Sequence, residues 1–279
     1  MTKQQQTEHN MLMDFIEHDC KVNINEKIDY PPVALSYGEK LLKSESGDKL
    51  VPIALGTYGN LSVVTAPPKT MKTFFISLLA SVYLSGSNIY GGNLKGHKGN
   101  GHLLHIDTEQ GLWHCQKVFK RPLTMDSSIN TNNYHTFGLR SIDHKMRIDF
   151  IDYYLENKIK KPSLIIIDGI ADLCSDANSI IESNALVQRL MEWSAKYKCH
   201  IINVIHQNYG SQKFGTGHLG SFLEKKAETV IALEANTVNK EWVTVKCGRS
   251  RGYSFDTFSF EVNDVGLPQI VNNIYDPLA

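Results

Sequence analysis

Lys72 and Thr73 close the octet Ala66-Pro67-Pro68-Lys69-Thr70-Met71-Lys72-Thr73. The octet follows the apolar, β-branched run Leu61-Ser62-Val63-Val64-Thr65 and opens the largely apolar stretch Met71 to Leu84. A strand, a tight loop and a helix start in that order form an anion cradle, because backbone N–H groups and the positive end of the helix point at one place. The octet keeps the Lys-Ser/Thr end of the phosphate-loop pattern Gly-x-x-x-x-Gly-Lys-Ser/Thr. In that chemistry Lys72 contacts the β- and γ-phosphates of a nucleotide and Thr73 ligates Mg²⁺ through its hydroxyl. Lys69 adds a second cation. Both glycines of the pattern are replaced, by Ala66 and Met71. Met71 carries a β-carbon where glycine permits any φ. Pro67 and Pro68 remove two N–H donors while stiffening the loop. An ordinary strand–turn–helix has the same local features, so the octet alone does not decide between the two.

Carboxylates at the ends of later strands bear on that choice. Leu164-Ile165-Ile166-Ile167-Asp168 is an apolar run ending in an acid. An acid at the tip of a buried neighbouring strand positions Mg²⁺ through water; the alternative is a cap for the next helix. Ile106-Asp107-Thr108-Glu109 supplies a candidate base to polarise an attacking water, Glu109, with Asp107 as competitor or orienting group. The alternative is a pair of loop carboxylates. His206-Gln207-Asn208 ends another strand, where a polar group such as Gln207 would contact the nucleotide and pass the γ-phosphate's presence to the loop Tyr209 to Ser221; the alternative is a solvated loop that does nothing. Gln116 and Lys117, on the helix after Glu109, are where the base would rest.

These residues need a scaffold. From Val51 onward strands alternate with helices, which implies an α/β fold with a mainly parallel sheet flanked by helices on both faces. Thr229–Leu233, Trp242–Val245 and Thr257–Val262 are separated by short spacers and read as antiparallel additions at the C-terminal end. Gly86 to Gly101 reads as a surface excursion. Residues 1–47 are polar, with a helix expected from Met11 to Asp19, and form either an arm that makes an oligomer contact or a frayed terminus. Residues 48–279 form the main domain.

Composition narrows the function classes. Lys plus Arg and Asp plus Glu are 29 each, so a bulk polyanion binder is not expected and any nucleic-acid contact is local, with Lys213, Lys225 and Lys226 as a modest patch. The five cysteines are far apart, which argues against a disulfide framework or a cysteine zinc site and for a reducing, cytoplasmic setting. The polar N-terminus has no apolar signal-peptide run. The longest apolar runs are too short to cross a bilayer. The eleven histidines show no metal-binding face.

The order of these features resembles the RecA-like P-loop ATPases over about residues 48–262. Within them it is similar to the RepA-type hexameric replicative helicases and related ATPases of plasmids and mobile elements. Leu61–Thr73 resembles their Walker A region, Ile106–Glu109 the strand that ends in the catalytic glutamate, and Leu164–Asp168 the Walker B strand. His206-Gln207-Asn208 falls where a polar sensor sits, and Gly215–Ser221 looks like the Gly/Ser segment before a late strand. The resemblance implies ATP hydrolysis with Mg²⁺, action on DNA, single-stranded above all, and a homo-oligomer, either a ring such as a hexamer or a filament. It also implies a basic finger given to the neighbouring subunit's site, with Lys246, Arg249 and Arg251 as candidates. The two missing glycines leave a second reading open: a nucleotide-sensing regulatory or accessory protein with little turnover.

Overall fold

The computed structural model describes residues 2–43, 47–207, 215 and 217–271. The chain divides into two compact units, Met1–Pro31 and Pro32–Ala279. In the first, helix α1 (Lys3–Cys20) starts at a capping box in which Thr2 and Gln5 satisfy each other's backbone N–H groups, and none of its residues is buried.

In the second unit the strands are β1 (Val33–Leu42), β2 (Lys49–Thr57), β3 (Leu61–Ala66), β4 (Leu94–Gly96), β5 (His102–Asp107), β6 (Tyr134–Gly138), β7 (Pro162–Asp168), β8 (His200–His206), β9 (Thr229–Ala235), β10 (Trp242–Ser250), β11 (Phe258–Val262) and β12 (Pro268–Val271). The helices are α2 (Lys72–Ser85), α3 (Leu112–Met125), α4 (His144–Asn157), α5 (Ile180–Tyr197) and α6 (Gly217–Lys226). Nine strands form one sheet in the order β12-β11-β10-β9-β3-β8-β7-β5-β6. All pairs from β9 to β6 are parallel, and the pairs from β9 to β12 are antiparallel. The expected parallel sheet with C-terminal antiparallel strands is what forms. One strand differs from expectation: β9 is parallel to β3, because α6 carries the chain back across the sheet as a βαβ crossover.

The central strands are mainly apolar because both faces are covered, and β7 runs unbroken from Leu164 to Ile167. Alternate residues serve opposite cores. Leu164 and Ile166 join Phe75, Leu79 and Ile202 on one side, while Ile165 and Ile167 join Leu190, Trp193 and Ile201 on the other.

A second, three-stranded sheet has the order β2-β1-β4. Its pairing draws Val33–Leu42 into the second unit, so the division falls at Pro31–Pro32 rather than near residue 47. Part of the expected surface excursion, Leu94–Gly96, pairs with Leu35–Tyr37. Both corrections have one cause: these short strands satisfy their backbone across the chain, which no local periodicity reveals.

Among the described residues no helix is long and apolar enough to cross a membrane. All five cysteines are free.

Burial also sets an acid limit. His105 is fully buried, with Nδ1 2.9 Å from the Tyr134 hydroxyl, and burial drives its pKa down to about 3. The folded state therefore keeps the ring neutral where the unfolded chain, titrating near 6.5, takes up a proton. Its contribution to stability is complete above pH 6.5. It is lost at about 1.4 kcal/mol per pH unit as the pH falls from there towards 3. Urea unfolding at stepped pH values is expected to show a slope about one proton smaller for His105→Gln than for the wild type.

Candidate functional site

The octet lies between β3, which ends at the fully buried Ala66, and α2, which begins at Lys72. Met71 is the N-cap of α2 and is left-handed, with φ 52° and ψ 28°; Lys69 also has positive φ, 65°. Met71 thus takes the backbone region that a glycine would enter freely, at a cost of about 1–2 kcal/mol for a residue with a β-carbon. The Thr70 hydroxyl donates to the Pro67 carbonyl at 2.8 Å and closes the turn. Met71→Gly is expected to raise stability by about 1 kcal/mol in thermal unfolding, since the side chain is partly exposed and little packing is lost.

The side chains around the loop converge on a cleft of about 440 Å³ at the C-terminal ends of the parallel strands. Lys72 sits with Nζ 2.9 Å from His206 Nδ1, 3.3 Å from the Pro67 carbonyl and 3.5 Å from that of Ala66. Burial lowers its pKa, and the nearby Glu109 and Asp168 partly offset that. His206 Nε2 lies 3.3 Å from Glu109 Oε1, and this contact holds the Glu109 carboxyl below its usual range. One imidazole therefore bridges the lysine and the glutamate.

Asp168 is buried at the tip of β7, and its pKa rises to about 7. Desolvation is the largest cause, Asp107 and Glu109 add to it, and the Thr73 hydroxyl and Lys72 pull against it. Its Oδ2 is buried with no hydrogen-bond partner among the described residues. A buried acid beside two others, bonded to a threonine hydroxyl and with one oxygen unspent, has the donor chemistry that suits a hard divalent cation. Among the described residues no group of three His, Cys, Asp or Glu side chains could hold a metal alone. A Thr73–Asp168 pair completed by phosphate and water needs none.

Asp107 and Glu109 separate by environment. Asp107 Oδ1 accepts from the Glu109 and Gln110 backbone N–H groups at 2.9 and 2.8 Å, and Oδ2 accepts from Gln110 Nε2 at 2.7 Å. Its carboxylate is spent on shaping the turn, which leaves Glu109 facing the cleft. Gly169 follows Asp168 with φ 96°, and a β-carbon there would lie 2.3 Å from Thr108 Oγ1 and 2.7 Å from Glu109 Cγ. Only glycine lets the two acidic strand ends meet. Arg147, buried on α4, donates to the carbonyls of Leu139, Arg140 and Asp172 and fastens the loop after β6 to the turn after β7.

Other expected contacts lie elsewhere. Gln207 donates its backbone N–H to Ala66 and bridges to Gly215, but His206 lines the cleft in its place. Asn208 and most of Tyr209–Ser221 lie outside the described residues, as does Lys213. Gln116 lines a separate cavity of about 430 Å³ with Cys115, Phe119 and Tyr134, while Lys117 stacks on Trp113 at 3.8 Å. The helical period explains this: His114, Val118 and Arg121 are the α3 residues that share the cleft-facing side. Arg121, over the Phe74 ring at 3.9 Å and 3.0 Å from Ser77 Oγ, is a cleft cation that sequence reading missed.

Arg249 of β10, and Arg251 just after it, stand away from this chain's own cleft. Arg249 pairs with Val230 and so lies level with Val63, near the start of β3 rather than at its phosphate-loop end. Arg251 donates to the carbonyls of Lys225 and Lys226 at 3.3 and 3.2 Å. Lys246 pairs with Glu234 at 2.7 Å.

Residues 49–212 match the AAA domain family. A comparison with curated proteins finds no match. Among solved structures, the crystal structure of the RadB recombinase aligns with a TM-score of 0.52 at 16% identity, covering 77% of this chain and 92% of that one. At that identity the likeness speaks for the fold, a RecA-like α/β sheet, and the sequence match supplies the membership. With its phosphate loop, its two acidic strand tips and more than half its length inside the match, the chain belongs to the AAA domain family and has the fold of the RecA-like P-loop ATPases.

Proposed function

We propose that this chain binds ATP with Mg²⁺ and hydrolyses it in the cleft where Lys72, Thr73, Glu109, Asp168 and His206 converge, and that it does so as a motor acting on DNA. The observation that carries the reading is this convergence at the C-terminal ends of parallel strands. Residues 66–73 wrap the phosphates. Lys72 leaves the loop carbonyls and His206 to neutralise the β- and γ-oxygens. Thr73 and Asp168 hold the Mg²⁺, which neutralises charge on the phosphates when bound. Glu109 takes a proton from the water whose oxygen attacks the γ-phosphorus, as the bond from that phosphorus to the ADP oxygen breaks. His206, freed by the γ-phosphate from Lys72 and Glu109, moves the Gln207–Gly215 bridge at the base of the following loop.

The unit that begins at Pro32 acts as the ATPase domain, and the first unit, Met1–Pro31, as an arm that contacts a neighbouring subunit. Arg249 or Arg251 of one subunit approaches the next subunit's site in a ring or filament. Of known groups, the RepA-type helicases of plasmids and mobile elements are the ones the motifs resemble. A second reading, an ATP-sensing accessory protein with slow turnover, is favoured by the left-handed Met71 and by the two loop prolines that offer no N–H.

The test is ATP hydrolysis with and without single-stranded DNA, beside sedimentation with and without ATP. The motor reading expects DNA-stimulated hydrolysis that Lys72→Ala abolishes, from an oligomer. A monomer whose slow turnover ignores DNA supports the accessory reading, and a chain that neither binds nor hydrolyses ATP contradicts both.

A further inference from the structure

A second surface lies at the opposite end of the sheet from the phosphate loop. Ser250 pairs with Thr229 of β9, which pairs with Ser62 near the start of β3, whereas the phosphate loop follows β3's last residue. Beyond β10, Arg251 fastens the chain to the C-terminal end of α6 through the carbonyls of Lys225 and Lys226, whose own side chains are exposed. Two residues on, the Tyr253 ring is 45% exposed, and Lys40 of β1 stands over it with Nζ 4.1 Å from the ring centre.

The β1–β2 pairing adds to this group. Lys40 pairs with Val51 and Leu42 with Lys49, and alternation places all four on one face, so Lys40 and Lys49 point the same way. One lysine therefore stands on the exposed ring and a second shares its strand face, while Lys225, with Nζ 5.5 Å from the Phe222 ring, and Lys226 sit at the helix end that Arg251 ties to this segment. Among the described acids of these segments, Glu39 is engaged by Lys95 at 2.9 Å, and Asp48 and Asp256 are exposed.

We propose that Lys40 over the Tyr253 ring, Lys49 on the same strand face, and Lys225 and Lys226 at the adjoining end of α6 bind the backbone of a single-stranded nucleic acid while a base stacks on the exposed part of that ring. The separation of cations by an exposed aromatic is the arrangement that serves a single strand, whose phosphates meet the lysines and whose bases are free to stack. A duplex hides its base faces. The proposal rests on the reading of this chain as a protein that acts on DNA, and it places a contact far from the nucleotide cleft. The near-zero net charge agrees with a small, localised footprint.

The experiment is fluorescence anisotropy of a fluorescein-labelled oligothymidylate across a salt series, with ATP binding as the check on folding and with phosphatidylserine–phosphatidylcholine vesicles as a separate arm. Relative to the wild type, the double variant Lys225→Glu, Lys226→Glu is expected to bind at least tenfold more weakly, with a log–log salt slope shallower by about 1.4, two contacts at about 0.7 each. Tyr253→Ala is expected to bind about tenfold more weakly with the salt slope unchanged. Both keep wild-type ATP affinity. If the wild type binds the oligonucleotide and both variants bind equally well, this surface is not the contact, while action on DNA stands. If the wild type does not bind the oligonucleotide, whether or not it binds the vesicles, the proposal and the DNA reading both fall.

Discussion

Glu109→Gln is expected to lower kcat for ATP hydrolysis by about 10²- to 10⁴-fold while ATP affinity stays within a few-fold of wild type. The amide keeps the shape and a hydrogen-bond acceptor for His206 but cannot take a proton from water. Glu109 is also the acid of the cleft whose environment favours the charged form: the His206 contact holds its pKa down, whereas burial raises those of Asp107 and Asp168. Steady-state hydrolysis beside equilibrium binding of a fluorescent ATP analogue separates the two effects. An unchanged kcat would remove Glu109 from the reaction. Asp107→Asn makes the contrast, because Asp107 acts through the Asp107–Gln110 turn and its loss is expected to disturb Glu109's placement and stability together.

Gly56→Ala is expected to destabilise the fold by about 3 kcal/mol. A β-carbon at Gly56 would lie 2.1 Å from Nε2 and 2.2 Å from Cε1 of His200. That ring has no room to retreat: Nδ1 is 2.9 Å from the Thr57 carbonyl, Nε2 is 2.9 Å from Ser62 Oγ, and the residue is fully buried. The same corner ties β2 to the main sheet, since the buried Glu228 carboxylate accepts from both the backbone N–H and the hydroxyl of Thr57. The added methyl must therefore displace a hydrogen-bonded network between two sheets, not a flexible side-chain end. Chemical unfolding of the purified variant measures the loss. A change below about 0.5 kcal/mol would mean that the strand shifts without cost.

What the sequence revealed follows from what each residue answers to. The parallel core was legible because strands covered on both faces must be mainly apolar, as Leu164–Ile167 is without a break and as Ile201, Ile202, Val204 and Ile205 are around Asn203. The phosphate loop and its two acidic partners were legible because each sits at a strand tip, where an apolar run breaks into a polar residue. The left-handed backbone at Met71 was foreshadowed by the glycine it replaces. By contrast, β1 and β4 were hidden because their partners are distant in the chain. His206 was passed over for Gln207 because alternation along β8 decides which of two neighbouring polar residues enters the cleft. Gln116 was misplaced for the helical equivalent of that reason, falling on the side of α3 away from His114, Val118 and Arg121, while Lys117 turns onto Trp113.

The most direct test of the central claim is calorimetric titration of Mg²⁺–ATP into the wild type and into Lys72→Ala. Saturable binding at one site per chain in the wild type, lost in Lys72→Ala without loss of fold by circular dichroism, is the predicted result. Equal binding by both proteins, or none by the wild type, would contradict it.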